Sequence, residues 1–352
     1  MNSGGFYDSP VHVCSAAVSG CSRPMRRQTK GGIDMKAVAL GGGRHIVGIK
    51  YREAIGFVIC HSVAALALFP WFFSWTGFIV FNLGTFLFGV VGVNLTYHRL
   101  VSHRAFKCRR WLECTLAVIG ACSMEFSPAH WAAVHRRHHH HTDDDFDPHS
   151  PVRSFMWAHM GWLVAKVDDM NRRELLERYA KDLMRDPLYA WLERRDNWLR
   201  IGLALWLSYF VVGFAVARMS GSSSADSVQF GLSLLVWGAA LRTVVVWHSS
   251  WAINSVSHIW GYRNYDTPDR SRNNLFASLL VGGEWHNNHH ADPASARQGH
   301  KWWEIDVTWL IIRGFERLGL ATDVVTPSPA VVGPVKSQTA GHDVAVALSG
   351  SE

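Results

Sequence analysis

Residues 75–103 read WTGFIVFNLGTFLFGVVGVNLTYHRLVSH, an apolar stretch that ends in two histidines, His98 and His103. About 20 apolar residues in a helix cross the hydrocarbon core of a bilayer, which is roughly 30 Å thick. Residues 75–96 therefore predict a membrane-spanning helix. The two histidines follow directly at its end, so we expect them at the membrane surface.

Three further apolar runs have the same character and cover about residues 54–73, 198–217 and 228–247. A fifth apolar stretch, residues 112–124, is shorter and carries Glu113, so it predicts a partly buried or interfacial helix. The sequence thus predicts an all-α integral membrane protein with four transmembrane helices.

The net charge of +7 would suit binding to either of two anionic partners, nucleic acid or a membrane surface. The basic residues flank apolar spans, which favours the membrane and excludes nucleic acid from our prediction. The six cysteines contain no Cys-x-x-Cys pair, so neither a disulfide framework nor a thiolate metal site is indicated. The 20 histidines have no such general explanation and require a chemical one.

Charge also predicts the topology. Basic residues precede the first span and fill residues 99–195, whereas the link between the last two spans carries only Arg218. The positive-inside rule then places both termini and the histidine-rich segments in the cytosol. Residues 1–45 predict a disordered basic N-terminal tail, residues 46–325 the membrane domain, and residues 326–352 a disordered C-terminal tail.

The pattern H-x-x-H-H occurs twice, over residues 135–139 and 286–290. Positions three and four apart share a helix face, so each pattern is expected to aim three imidazoles at one point. His98 and His103 are five apart and lie about 140° from each other on an ideal helix. They would meet at one ion only where the helix ends or is distorted, and otherwise each would serve a different ion.

Eight clustered histidines exceed one zinc site, which takes four protein ligands or three plus water, so two ions fit better. Imidazole binds iron, copper and zinc alike, and ligand type leaves the metal open. One H-x-x-H-H alone is more often a solvated stretch than a site. Two copies beside predicted spans, together with the His98–His103 pair, favour a metal centre.

The three clusters resemble the histidine boxes of membrane fatty acyl desaturases, in particular the stearoyl-type Δ9 branch and its bacterial members. The resemblance covers about residues 50–325. The flanking residues that carry it are Thr96-Tyr97-His98-Arg99-Leu100, Asp147-Pro148-His149, Gly161-Trp162, Asn254-Ser-Val-Ser-His258, Gly261-Tyr262-Arg263, Gly283-Glu284 and Trp302-Trp303-Glu304.

This resemblance implies a cytosolic helical cap that holds two iron ions. It implies that Asn254 holds one iron through a water, that Asp147 and Asp306 orient ligand imidazoles, and that Arg153 lies near the carrier group of the substrate. It implies no catalytic side chain beyond the metal centre. The nine implied ligands are His98, His103, His135, His138, His139, His258, His286, His289 and His290.

The implied reaction is the O2-dependent desaturation of a saturated acyl chain, of the Δ9 type. Iron with O2 supplies a strong oxidant, whereas zinc has no redox chemistry. No dinucleotide fingerprint or iron–sulfur cysteine set is present, so electrons would come from a separate ferredoxin or cytochrome-type donor. An acidic donor would suit the basic residues of one segment, although such charges more often solvate a helix: Arg172, Arg173, Arg178, Lys181 and Arg185.

The sequence leaves the acyl carrier and the reaction product open. The carrier is either CoA or a membrane lipid, because Ala133 and Val134 stand where animal acyl-CoA members carry an Arg-Asp pair. The alternative functions are a di-iron lipid, alkane or carotenoid hydroxylase, which would form a hydroxyl group, and a metal-handling membrane protein. A transporter places polar residues near the middle of its spans, whereas these histidines cluster at one end.

Overall fold

The structure, a computed structural model, describes residues 38–332. The α-helices in this part are α1 Tyr51–Ala65, α2 Trp75–Thr85, α3 Arg110–Ala121, α4 Pro128–His140, α5 Trp162–Val164, α6 Arg172–Tyr179, α7 Lys181–Met184, α8 Pro187–Glu193, α9 Asn197–Met219, α10 Ser224–Leu234, α11 Arg242–Ser255, α12 Leu275–Leu280, α13 His286–Ala291, α14 Val307–Arg317 and α15 Pro329–Val332. π-Helical segments are Phe86–Ser102, Trp157–Gly161 and Leu235–Leu241, and 3-10 turns are Leu66–Leu68, Pro70–Phe72, Arg194–Asp196 and Val256–His258.

Short strands interrupt the predicted all-α pattern. They are β1 Val38–Gly41, β2 Arg44–Ile49, β3 Lys107–Cys108, β4 Ala165–Val167 and β5 Ala321–Thr322. Strands β1, β2 and β4 form one antiparallel sheet, and β3 pairs with β5. The strands are too short to show a clear alternation in the sequence, and Ile46 finds its partner Val167 far along the chain.

The predicted boundaries of the two tails need correction. The predicted N-terminal tail includes residues 38–45, but these belong to the β1–β2 hairpin, whose turn uses Gly42 and Gly43 at positive φ. The predicted C-terminal tail begins at residue 326, yet Pro329–Val332 is helical. The rest of both predicted tails lies outside the described residues.

The prediction of four membrane spans is confirmed. Among the described residues, four helices are long and apolar enough to cross a membrane: Tyr51–Leu68, Trp75–Ser102, Pro187–Met219 and Ser224–His258, here called spans one to four. Span four is the central helix, since its most apolar window is 61% buried against 11% for span one. Spans one and two both pack against its Leu235–Leu241 segment.

Span two ends in the long π-helical segment Phe86–Ser102. A π-helix joins each N–H to the carbonyl five residues earlier, so it is wider than an α-helix. Helix α3, the predicted interfacial helix, packs against this segment. The two backbones approach closely where Gly92 faces Gly120, because a Cβ on Gly92 would lie 3.2 Å from the Gly120 Cα.

Helix α4 carries the second histidine box and starts at a strong local signal. The Ser127 hydroxyl accepts the N–H of His130 at 3.1 Å, and Pro128 occupies the first helical position. A serine cap followed by proline is a favoured helix start. Helix α4 then packs on the π-helical end of span two and on α6 and α8, which places box two beside box one.

Candidate metal centre

The nine predicted histidines form two groups, and in each group the potential ligand atoms lie within 4.8 Å of one another. The first group, called the five-histidine group, is His98, His103, His135, His139 and His289. The second, called the four-histidine group, is His138, His258, His286 and His290.

Each H-x-x-H-H box divides between the two groups, contrary to our expectation that its three imidazoles converge on one point. In box two, His135 and His139 join the five-histidine group while His138 joins the other. Consecutive helix residues point about 100° apart, whereas residues four apart differ by only about 40°. Helix α4 therefore lies between the groups and supplies both.

His98 and His103 both belong to the five-histidine group, although five residues separate them. The distortion that such a meeting requires is present. The His103 N–H donates to the His98 carbonyl at 3.1 Å, which is the bond of a π-helical turn. The rings consequently approach to 4.9 Å between centroids. The alternative that each histidine serves a different ion does not match this placement.

The spacing of the imidazole nitrogens fits metal binding. Two nitrogens that bind one ion at right angles, each about 2.1 Å from it, lie about 3 Å apart. The Nε2–Nε2 distances are 2.7 Å for His103–His135, 3.1 Å for His135–His139, 2.8 Å for His139–His289, 3.0 Å for His98–His289 and 2.8 Å for His258–His286. The Nε2 atoms of His138 and His290 are buried with no partner among the described residues.

The four-histidine group carries a carboxylate on every Nδ1 atom. A carboxylate at this position keeps the proton on Nδ1 and leaves the Nε2 lone pair free for a metal. The pairs are His138–Asp147 at 3.0 Å, His258–Asp143 at 3.2 Å, His286–Glu284 at 2.8 Å and His290–Asp269 at 2.9 Å. The sequence predicts this role for Asp147, but it gives no indication of the same role for Asp143, Glu284 and Asp269.

The five-histidine group has fewer carboxylates close to its Nδ1 atoms. Within the described residues, no carboxylate lies within hydrogen-bonding distance of its Nδ1 atoms, and the Glu284 Oε2 atom approaches His98 Nδ1 only to 3.7 Å. His98 Nδ1 lies 3.2 Å from the Asn94 amide oxygen, and His289 Nδ1 lies 3.1 Å from the Gln298 amide. The two groups therefore have the same ligand type but different electrostatics.

Burial keeps most of these imidazoles neutral, which is the form that binds metal. Burial, with help from neighbouring histidines, lowers the pKa of His103 to about 3 and that of His290 to about 4. It also lowers the pKa of His135 and His139 well below the ordinary value. His138 differs, because burial lowers its pKa but the carboxylates of Asp147, Asp143 and Asp269 together raise it above the ordinary value.

Asn254 lies at the junction of two cavities. One is a narrow cavity between the groups, lined by His98, His135, His138, His286, Ser250 and Asn254 among others. The other, called the aromatic cavity, has Phe57, Trp131, Trp162, Trp247 and Trp251 among its lining residues, together with His130, His135 and His149. The half-buried Asn254 thus lines both the cavity between the histidine groups and the aromatic cavity.

Asp306 was expected to orient a ligand imidazole, but it contacts none of the nine. Its carboxylate accepts from the buried Arg99 at 3.0 Å and from the Trp309 N–H at the start of α14. Arg99 donates in turn to Gln298, the neighbour of His289. The influence of Asp306 on the centre is therefore indirect.

Arg153, predicted to lie near the substrate carrier, does not line the aromatic cavity. It donates to the Asp145 carbonyl at 3.1 Å and stacks on Trp157.

Several other histidines lie outside both groups. His140 is exposed and its ring lies 5.7 Å from Tyr179, while His141 Nδ1 lies 2.9 Å from Asp144. His61, His248 and His159 form a separate hydrogen-bonded row with distances of 3.0 and 2.9 Å. This row joins span one, span four and the segment before α5, and no sequence motif indicates it.

Comparison with known proteins assigns the chain to a family. The model of the fatty acid desaturase family matches residues 69–322 of the chain. The sequence is similar to the sn-2 palmitoyl-lipid 9-desaturase of Nostoc sp. (strain 36), with 40% identity over 283 residues, which cover 80% of this chain and 92% of that protein.

Two further relatives extend the comparison. The sn-1 stearoyl-lipid 9-desaturase of Anabaena variabilis is 38% identical over 277 residues, 78% of this chain and 94% of its own length. The icosanoyl-CoA 5-desaturase of Limnanthes douglasii is 37% identical over 291 residues, 82% of this chain and 76% of its own length. The family resemblance seen in the histidine boxes is confirmed.

Proposed function

Because the chain belongs to the fatty acid desaturase family, we propose that it introduces a Δ9 double bond into a saturated acyl chain carried by a membrane lipid, using O2. The observation that carries this proposal is the continuity between the histidine groups and the aromatic cavity. His135 and Asn254 line that cavity together with Phe57 and Trp251. An acyl chain in the cavity would have its middle carbons beside the histidines.

Two iron ions held by the nine histidines would supply the oxidising power to remove one hydrogen from each of two adjacent methylenes. The balanced reaction consumes O2, two electrons and two protons, and it forms the double bond and two waters. The protein's own residues orient the ligand imidazoles and hold the acyl chain. The carboxylates at Nδ1 fix the imidazoles of the four-histidine group. The aromatic walls exclude water and hold one segment of the chain beside the centre, which sets the position of the double bond.

A membrane lipid is the favoured carrier. The Nostoc and Anabaena Δ9 relatives act on lipid-linked chains by their names, and the alignments cover more than nine-tenths of their lengths. The CoA-linked relative is a Δ5 enzyme by its name. Phe57 of span one and Trp247 of span four both line the aromatic cavity, so two membrane spans contribute to the site that would receive a lipid-linked chain.

The electron donor is proposed to dock at an opening that reaches the five-histidine group. Its lining includes His103, His139, His140, Arg136 and Arg178. Among the predicted basic residues, Arg172 pairs with Glu193 and Arg173 with Glu177, whereas Arg178 has no carboxylate partner among the described residues. A ferredoxin or cytochrome with an acidic face would be attracted to the uncompensated charge at this opening.

Because a ferredoxin or cytochrome donor would reach this opening from the cytosol, we infer that the active site and both termini are cytosolic. The basic residues that flank the cytosolic ends of the spans support this orientation. The catalytic domain would then comprise about residues 46–325 together with the β1–β2 hairpin, whose strand β2 pairs with β4.

Expression in a desaturase-deficient host tests the function. We expect new monounsaturated fatty acids in gas chromatography, double bonds at carbon 9 on mapping, and the label from a saturated chain recovered in membrane lipid rather than in acyl-CoA. The His286→Ala variant is the matched control and should form none. Hydroxylated chains in place of alkenes would point to a hydroxylase, and metal accumulation without a lipid product would point to a metal-handling protein.

A further inference from the structure

Glu125 is a buried carboxyl group in the wall of the aromatic cavity. It lies in the turn between α3 and α4 and is 6% exposed. Its Oε2 atom accepts two hydrogen bonds, from the Trp131 indole N–H at 3.1 Å and from the Ser250 hydroxyl at 3.0 Å. Its Oε1 atom is buried and has no partner among the described residues.

The contacts of Glu125 tie it to the proposed path of the acyl chain. The Trp131 ring stacks on His135, with centroids 4.9 Å apart and planes inclined by 26°. Ser250 lines both the aromatic cavity and the cavity between the histidine groups. Glu125 therefore links the turn before α4 to span four at the place where the aromatic cavity meets the histidine groups.

No cation among the described residues compensates this carboxyl group. The titratable groups around it are Tyr97 from span two, whose hydroxyl donates to the Phe126 carbonyl, His130 and His135 from α4, and His149 from the loop after α4. Burial lowers the pKa of His130, His135 and His149, so all three are neutral at physiological pH. Spans one and four contribute uncharged side chains, Phe57 and Trp251.

Burial in these surroundings raises the pKa of Glu125 to about 8, although the two hydrogen bonds oppose the shift. Below that pH the group is a neutral acid with its proton, and above it the group is an anion. An unpaired anion beside an apolar ligand must be desolvated when the ligand enters, which is costly.

We propose that Glu125 is a positioning residue that must carry a proton for the acyl chain to occupy the cavity. The inference rests on the proposed function, since it takes the aromatic cavity as the binding site of the chain. In the neutral form, Glu125 holds Trp131 and Ser250 while it presents no net charge to the chain. In the ionised form, it retains water in the cavity and weakens binding of the chain, while the chemistry at the histidines is unaffected.

Kinetics with vesicles that contain a stearoyl phospholipid test the proposal between pH 6.5 and 9.5. For a group that must be protonated, the apparent KM rises about tenfold for each pH unit above its pKa. For each protein, the KM at every pH is divided by the KM of the same protein at pH 7. We expect this ratio to rise in the wild type and to stay constant in Glu125→Gln. Glu177→Gln removes an exposed glutamate and should keep the wild-type profile. The ratio of kcat between wild type and Glu125→Gln should stay constant with pH.

The outcomes separate this proposal from the proposed function. Absence of alkene at every pH would contradict the function, whereas alkene formation with the same KM profile in wild type and Glu125→Gln would overturn the role of Glu125. Should Glu125→Gln fail to fold, Ser250→Ala gives a second test. Loss of the hydroxyl donor destabilises the carboxylate, so the rise in KM should begin at higher pH. An unshifted profile in Ser250→Ala would also overturn the proposal.

Discussion

The Oδ2 atom of Asp269 lies 2.9 Å from Nδ1 of His290, and the Nε2 atom of the same ring is buried without a partner among the described residues. The carboxylate thus holds one nitrogen of the ring and leaves the other for a metal. All four members of the four-histidine group have such a carboxylate, whereas the five-histidine group has none within hydrogen-bonding distance among the described residues, the Glu284 Oε2 atom lying 3.7 Å from His98 Nδ1. We therefore expect the two groups to differ in how firmly they hold iron.

Asp269→Asn should weaken iron binding in the four-histidine group by roughly 10–100-fold, because a ligand imidazole loses its carboxylate partner. A competition titration with an iron(II) chelator measures the change. Asp266→Asn is the matched control, since that side chain is fully exposed and its nearest cation, Arg263, lies 3.7 Å away. Equal affinities in both variants would show that the Asp269–His290 pair does not support a metal site.

The purified protein should bind about two iron ions per chain, and chelation should remove them in two phases. The surplus of imidazoles over one site gives the number, and the carboxylates predict slower loss from the four-histidine group. Iron analysis during chelation measures both. One iron per chain after full reconstitution, or activity with zinc alone, would contradict this prediction.

His138→Ala and His139→Ala should each lower desaturation by roughly 100-fold or more, whereas His140→Ala and His141→Ala should be tolerated. The first two belong to the histidine groups, while His140 is exposed and His141 pairs with Asp144. Alkene formation in membranes with equal amounts of each variant measures the effect. An inactive His141→Ala beside an active His138→Ala would mean that our assignment of the second box is wrong.

Asn254→Ala should lower desaturation severely and leave most of the iron bound, because Asn254 lines the cavity between the histidine groups and is proposed to act through water. His258→Ala should lose both iron and activity, since a member of the four-histidine group disappears. Iron content and alkene are measured in the same membranes. Full activity in either variant would show that this end of span four does not serve the irons.

Gly120→Ala should destabilise the protein by about 1–3 kcal/mol through overpacking. A Cβ at this position would lie 2.3 Å from the Tyr97 ring, and Tyr97 is fully buried. Gly314→Ala is the control, because its Cβ meets open space in α14 and alanine favours the helix by about 1 kcal/mol. Thermal unfolding in detergent should give a lower Tm for the first variant and an unchanged or higher Tm for the second.

The sequence by itself determined the spans and the residues of the centre. Long apolar runs are read directly because a bilayer requires about 20 apolar residues in a helix. The histidine spacings, with the family resemblance, named the nine residues that the fold brings together. These features are local, so they are visible without knowledge of the elements that pack against them.

Only the tertiary structure decided how those residues are distributed and supported. Box two divides between the groups because α4 passes between them, and His98 meets His103 because span two ends as a π-helix. Asp269 reaches His290 across 21 positions of the chain, and Glu125 reaches Ser250 across 125. No local pattern encodes such partners, because their proximity results from the packing of distant helices and loops.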